Sequence, residues 1–189
     1  RDRMPDIEGF SACWGISVIH CPYCHGYEVR NEKTVILANG DAAMHYAQLI
    51  RNLTKNLTIL TNGIPEFSKE QYEKLKKYDI DVIANEIASL THENGLLHDV
   101  VFKDQSRFPV HVMYARPQFE QHCPIAEMLG CSITETGHIF TDAFQKTTVP
   151  DIYACGDNSG MMRSVAHAVY TGNLAGAMIN NELTAEAFK

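Results

Sequence analysis

The 189-residue sequence contains no apolar run long enough to cross a bilayer, and it contains no intact G-x-G-x-x-G. It carries no internal repeat and no low-complexity tract, which excludes solenoid and linker-dominated architectures. Positive charge is in short supply: 16 Lys and Arg stand against 23 Asp and Glu, a formal net charge of −7. That balance argues against nucleic acid or an anionic membrane as the partner. Six cysteines are too few for a disulfide scaffold at this length, and no second CxxC is present to complete a four-thiolate zinc site. A reducing cytoplasm with one catalytic pair is the simpler account. The opening Arg1-Asp2-Arg3-Met4-Pro5 is charged and extended, with no signal-peptide pattern. Residues 1–9 read as a connector, punctuated by Pro5 and Gly9, within a longer protein.

What is present is a globular composition, 45% hydrophobic and 21% charged, enough for one large or two small domains. The chain is organised around Cys21-Pro22-Tyr23-Cys24-His25-Gly26-Tyr27-Glu28. Two thiols two residues apart close a small disulfide with little backbone movement. A helix opening at Cys21 would lower that thiol's pKa through its free N–H groups and dipole, and Pro22 suits the first helical position. His25 follows Cys24 and can exchange a proton with a leaving thiol near neutral pH. These features describe a redox-active dithiol with its own acid/base. A structural disulfide, half a zinc site and two buried thiols remain open alternatives on the local motif.

Residues 10–20 lead into the motif with an apolar alternation (Trp14, Ile16, Val18) that predicts an extended or irregular approach. A βαβ unit follows: a β-branched strand over 33–38, a turn at Asn39-Gly40-Asp41, a helix over 42–53 and a second strand over 57–60. Residues 68–78 form an amphipathic helix with Ser68 as cap and Gln71 at the capping-box position. Strands are expected over 80–83, 87–91, 97–103 and 108–114, with Asn94-Gly95 as a hairpin turn. Beyond Tyr114 come a loop, a short helix over 124–129, strands over 138–141 and 152–155, and a helix from about 163 to 180 rich in alanine and glycine.

Ala38-Asn39-Gly40-Asp41-Ala42-Ala43 fits half of a dinucleotide fingerprint. Gly40 and Ala43 match, and Ala38 stands in the place of the first glycine. Gly40, Asp41 and Ala42 are therefore the candidate NAD(P) contacts. The second strand runs into Thr61-Asn62-Gly63-Ile64-Pro65, with neither the acid that grips a ribose nor the arginines that grip a 2′-phosphate. A nucleotide site and a βαβ unit without a ligand both satisfy this pattern.

Three motifs in order carry a family resemblance: the CPYC-HG motif, the VILANGDAA strand–turn–helix, and Thr147-Thr148-Val149-Pro150-Asp151-Ile152-Tyr153-Ala154-Cys155-Gly156-Asp157 followed by Arg163-Ser164-Val165. Together they resemble the low-molecular-weight thioredoxin reductases, the flavin-dependent pyridine nucleotide–disulfide oxidoreductases. The resemblance implies an α/β fold: a Rossmann-like three-layer NAD(P)-binding-like domain over 10–114 carrying the CxxC, then over 115–189 the C-terminal half of an FAD-binding domain, its N-terminal half absent. It implies FAD as cofactor, with Gly156, Asp157, Arg163, Ser164 and Val165 on flavin-contacting positions and Ser164 replacing the usual glutamine. Cys24 would face the flavin, Cys21 would exchange with substrate, and His25 would stand where the family has an acidic proton donor. The implied partners are a thioredoxin-like protein or a small dithiol, in a homodimer, with NADPH or NADH as the nicotinamide candidates. His after the CxxC and the missing arginine cluster resemble a subgroup, the dithiol oxidases of the gliotoxin and holomycin type, which pass electrons to oxygen without a nicotinamide. A non-catalytic nucleotide-binding or redox-sensing module is the reading outside enzymology.

Overall fold

The computed structural model describes residues 1–189. In chain order its elements are β1 (Asp2–Arg3), α1 (Phe10–Cys13), β2 (Val18–Ile19), α2 (Pro22–His25), β3 (Thr34–Leu37), α3 (Gly40–Ile50), β4 (Leu57–Leu60), α4 (Lys69–Lys77), β5 (Asp81–Ile83), β6 (Ile87–Glu93), β7 (Leu96–Phe102), β8 (Arg107–Pro109), β9 (Val112–Ala115), β10 (Gln118–Phe119), α5 (Ile125–Met128) and α6 (Val165–Ala187). They form two compact units, Met4–Pro117 and Arg1–Arg3 with Gln118–Lys189. Residues 1–9, read as a connector, supply β1 to one unit and the buried Ile7 to the other.

The Met4–Pro117 unit has three layers. A parallel sheet of order β2-β9-β3-β4-β5 lies in the middle. Its strands are nearly continuous apolar runs because both faces are covered. Alternate residues face opposite cores: Ile36, Ile59, Val112 and Tyr114 join the cluster under α3, while Val35, Leu60 and Met113 join the cluster under the antiparallel sheet β6-β7-β8. The α3 face is built from Ala43, Tyr46, Ala47 and Ile50. Ser68 and Gln71 close the expected capping box on α4, and Asn94 and Gly95 take positive φ (51° and 83°) in the β6–β7 turn, as a two-residue hairpin requires.

Two expectations for this unit need correction. The approach over 10–20, read as extended or irregular, is extended only at Val18–Ile19 and opens with a helix at Phe10–Cys13: Phe10 and Cys13 are buried three residues apart, and Gly15 at φ 78° turns the chain before β2 begins. The apolar run over 108–114 is two strands in two sheets. Val110 donates to the His98 carbonyl and His111 to the Lys33 carbonyl, so the chain crosses between sheets there, at Pro109 and the exposed His111.

In the other unit β1 pairs antiparallel with β10, and a small core gathers Cys131, Ile139 and Ala154. The strands expected over 138–141 and 152–155 form only the isolated bridges Ile133–Ile139 and Lys146–Tyr153, because a ladder needs a neighbouring strand and each finds one residue. The helix expected from residue 163 begins at Val165 and continues past 180 to Ala187, burying Thr171 and Ala175.

Candidate active site

Strand β2 delivers His20 and Cys21 to the redox turn. Cys21 is the extended cap of α2 and Pro22 occupies its first turn. Cys21 and Cys24 form a disulfide, with their Cα atoms 5.3 Å apart. The Cys24 N–H donates to Cys21 Sγ at 3.2 Å, a bond that also favours a Cys21 thiolate once the pair is reduced. Cys21 is half-buried, whereas Cys24 and His25 are exposed, so the alternative of two buried thiols fails. Tyr23 and Tyr27 stand out into solvent beside the pair, with the Arg30 guanidinium over the Tyr27 ring at 3.9 Å. Cys13, by contrast, is a core residue whose thiol is pushed up by burial, against a smaller opposing effect from Ser17. No three His, Cys, Asp or Glu side chains converge in a way that could hold a metal ion.

Gly26 ends α2 for a packing reason. A Cβ there would run into the Pro22 carbonyl and into Leu53 Cδ1 just beyond α3. Further contacts tie the redox segment to the α3 region: Tyr46 donates its hydroxyl to the His20 carbonyl at 2.9 Å, and the Asn31 N–H donates to the Leu53 carbonyl at 3.0 Å.

Gly40, Asp41 and Ala42 are the first residues of α3, and the corner they form is filled. Asn39 Oδ1 accepts from the Gly40 and Glu66 N–H groups, both at 2.9 Å, and Asn39 Nδ2 donates to the Ile64 carbonyl at 2.8 Å. The loop after β4 is thereby stitched over the helix start. Glu66 follows Gly40 closely: its carbonyl and carboxylate lie 3.4 and 3.8 Å from where a Gly40 Cβ would be. Asp41 accepts from Gln71 Nε2 at 2.7 Å. Of the helix-start N–H groups a pyrophosphate would use, Gly40's is taken by Asn39, and the Asp41 and Glu66 carboxylates stand beside it.

The corner before α6 is built the other way. Gly156, at φ 80°, donates its N–H to Thr171 Oγ1 at 3.0 Å, which fixes the turn against the helix. Asp157 is exposed. Arg163 is held by Asp2 at 2.6 Å and lies over the Phe119 ring at 4.8 Å. Ser164 caps α6 by accepting from the His167 N–H at 3.1 Å, and Val165, its first residue, is 82% exposed. A 23-residue helix thus presents its positive end to solvent with an exposed carboxylate nearby in the chain.

Residues 1–172 match the sequence profile of the pyridine nucleotide-disulphide oxidoreductase family. The chain belongs to that family. It is 29% identical over 195 residues to thioredoxin reductase sirT of Leptosphaeria maculans, covering 95% of this chain and 59% of the relative. Among solved structures it is similar to TrxB of Bacillus anthracis (30% identity, TM-score 0.89, 99% of this chain and 63% of that one). It is also similar to HlmI (28% identity, TM-score 0.89, 100% and 59%). The chain spans about three fifths of the length of these relatives. The parallel-sheet α/β fold of the family is the fold observed here.

Pattern reading singled out the cysteines and the two glycine turns and named Asn39, Gly26, Tyr46 and the ambiguous acid Glu66, but not the contacts that these four make. Tyr46 was legible only as one more residue on the buried face of α3; its hydroxyl carries no sequence signal. Glu66 lies too far from Gly40 along the chain for spacing to pair them.

Proposed function

We propose that this protein is a flavin-linked thiol–disulfide oxidoreductase whose Cys21–Cys24 pair carries electron pairs between FAD and a dithiol or disulfide substrate. The observation that carries the reading is the solvent-accessible Cys21–Cys24 disulfide, with Cys21 capping α2, in a chain of this family. Bound FAD supplies a two-electron reservoir. In the reducing direction a Cys21 thiolate attacks the substrate S–S bond and forms a mixed disulfide, releasing one substrate thiolate. The Cys24 thiolate then attacks Cys21 Sγ, closes the Cys21–Cys24 bond and releases the second. Two electrons pass to the substrate, and His25, next to Cys24, hands a proton to the departing sulfur.

The donor set before α6 suits the flavin. Gly156 keeps the turn tight, Asp157 offers a carboxylate acceptor for a hydroxyl, Arg163 a fixed cation, and Ser164 and Val165 an open helix start. In this reading 10–114 is the NAD(P)-binding-like domain, 115–189 part of the FAD-binding domain and 1–9 the linker. The protein is a cytoplasmic homodimer, and its partner is a thioredoxin-like protein or a small dithiol.

The filled corner at Gly40 favours a second form of the same chemistry. A substrate dithiol reduces the Cys21–Cys24 disulfide, becomes oxidised to its own disulfide, and two electrons and two protons pass on to dioxygen, giving hydrogen peroxide without a nicotinamide. Anaerobic addition of NADPH, NADH or dithiothreitol to the flavin-loaded protein, followed at the flavin absorbance, separates the two. Bleaching by dithiothreitol alone, with recovery and peroxide on admitting air, supports the oxidase. Bleaching by NADPH or NADH makes it a disulfide reductase. Turnover unchanged by Cys24→Ser would overturn both.

A further inference from the structure

We infer that Tyr46, on α3, is a positioning residue for the redox turn and sets the reactivity of Cys21. The inference rests on reading Cys21–Cys24 as the redox pair, and it assigns a role to a side chain that touches neither sulfur.

The backbone just before Cys21 is held from outside the motif by a side chain of α3. Strand β2 is two residues long and lies at the edge of the sheet, laddered with β9 and bridged on its other side to Trp14 through Val18. Its register ends at Ile19–Tyr114. The next carbonyl, that of His20, leaves the sheet and is taken by the Tyr46 hydroxyl at 2.9 Å. Tyr46 itself is buried, and burial pushes its hydroxyl pKa up, so it remains a neutral donor through physiological pH. Its position is fixed by the Tyr114 ring (centroids 6.4 Å apart) and by the α3 face in the core.

The far end of the redox segment rests on Leu53, through the Asn31 bond and the Gly26 packing. The motif is thus held at both ends by α3 and the turn that follows it. Releasing the front tether frees the backbone of Cys21. That loosens the Cys24 N–H to Cys21 Sγ bond, because its geometry depends on where the two residues' backbones stand. A thiolate that loses a hydrogen bond has a higher pKa and is present in smaller amount at neutral pH.

Tyr114 is the built-in control. It sits one ring away, is fully buried, and its hydroxyl has no hydrogen-bond partner, so removing it removes no tether.

The test measures alkylation of Cys21 by iodoacetamide against pH in the Cys24→Ser protein, read by mass spectrometry of the Cys21 peptide so that the other thiols do not interfere. Adding Tyr46→Phe moves the pH midpoint upward and slows alkylation at pH 7 by about fivefold, the worth of one hydrogen bond. Adding Tyr114→Phe leaves the profile in place. Melting curves confirm that each variant is folded. Leu53→Ala, which loosens the rear tether, shifts the midpoint in the same direction and keeps the question open to decision if Tyr46→Phe does not fold. A profile unmoved by the folded Tyr46→Phe protein, or by Leu53→Ala in its place, overturns the inference, as does an equal shift in Tyr114→Phe. Alkylation needs neither flavin nor substrate, so this result is independent of the electron-transfer reading.

Discussion

The molecule contains two glycine turns, each leading to a helix, that look alike in sequence and differ in what they leave open. At α3 the cap residue Asn39 spends its side chain on three partners and draws the Ile64-Pro65-Glu66 loop over the helix start. At α6 the cap residue Ser164 satisfies one N–H within its own helix, and the first residue beyond it is exposed. A glycine in the turn does not make a phosphate or flavin cradle. What decides is whether the cap side chain and the following loop turn inward or stand clear.

The largest expected effect lies at the open corner. Gly156→Val places a β-branched side chain at φ 80° in a buried turn, a strain of about 2 kcal/mol. In the full-length protein the variant is expected to emerge from gel filtration without flavin colour, whereas wild type retains it; retained colour would remove Gly156 from the flavin site. Next is the closed corner. Asn39→Ala takes away a cap and the loop bonds with it, costing about 2 kcal/mol in urea unfolding. Combining it with Glu66→Arg also exchanges an obstructing carboxylate for a cation. The double variant is expected to bind NADPH in calorimetry where the wild type does not, and equal binding by both would show that the corner was never closed. Ser164→Ala is smaller, about 1 kcal/mol in the same unfolding measurement, since only one cap bond is lost.

The smallest effect at neutral pH is Tyr114→Phe, which deletes an unpartnered hydroxyl and is expected to shift stability by no more than about 1 kcal/mol, in the stabilising direction. Its signature is alkaline. Burial, with the Glu28 charge and Tyr46 adding to it, pushes the Tyr114 pKa up to about 12 from an ordinary 10. Below pH 10 both folded and unfolded chains keep the proton. Between pH 10 and about 12 the unfolded chain gives it up first, so stability falls over that window. Tyr114→Phe should flatten that decline in pH-dependent melting curves; an unchanged alkaline slope would place the cause elsewhere.

Elements with strong local codes were legible in the sequence. Ser68 and Gln71 announced their capping box, Asn94-Gly95 its hairpin, and the β-branched runs at Thr34–Leu37 and Leu57–Leu60 their parallel strands. Cys21 and Cys24 were legible as a bonded pair for the same reason, since two thiols two residues apart can close a disulfide. What escaped was set by tertiary placement. The run through Phe108 and Tyr114 switches sheets at Val110 and His111, and Pro109 with the exposed His111 marks the break that a strand reading of the whole run overlooks. Phe10 and Cys13 form a helix because both fit the core beside β6, although the following alternation reads as extended. The closure at Gly40 depends on Asn39 and Glu66, which meet only after β4 has been laid beside β3.

The strand order β2-β9-β3-β4-β5 has a consequence for how the chain is made. β9 is the last of the five strands in sequence, yet it sits between β2 and β3, with Met113 paired to Val18 on one side and Val35 on the other. As the polypeptide leaves the ribosome, β2 with the redox turn has no strand to join, and β3 exposes a bare edge, until residue 115 has emerged. A nascent chain arrested before Val112 should be open to protease near Cys21 and prone to capture by chaperones, while one extended past Ala115 and clear of the exit tunnel should close abruptly. The cysteines would then gain their fixed geometry late in synthesis, although they are encoded near its start.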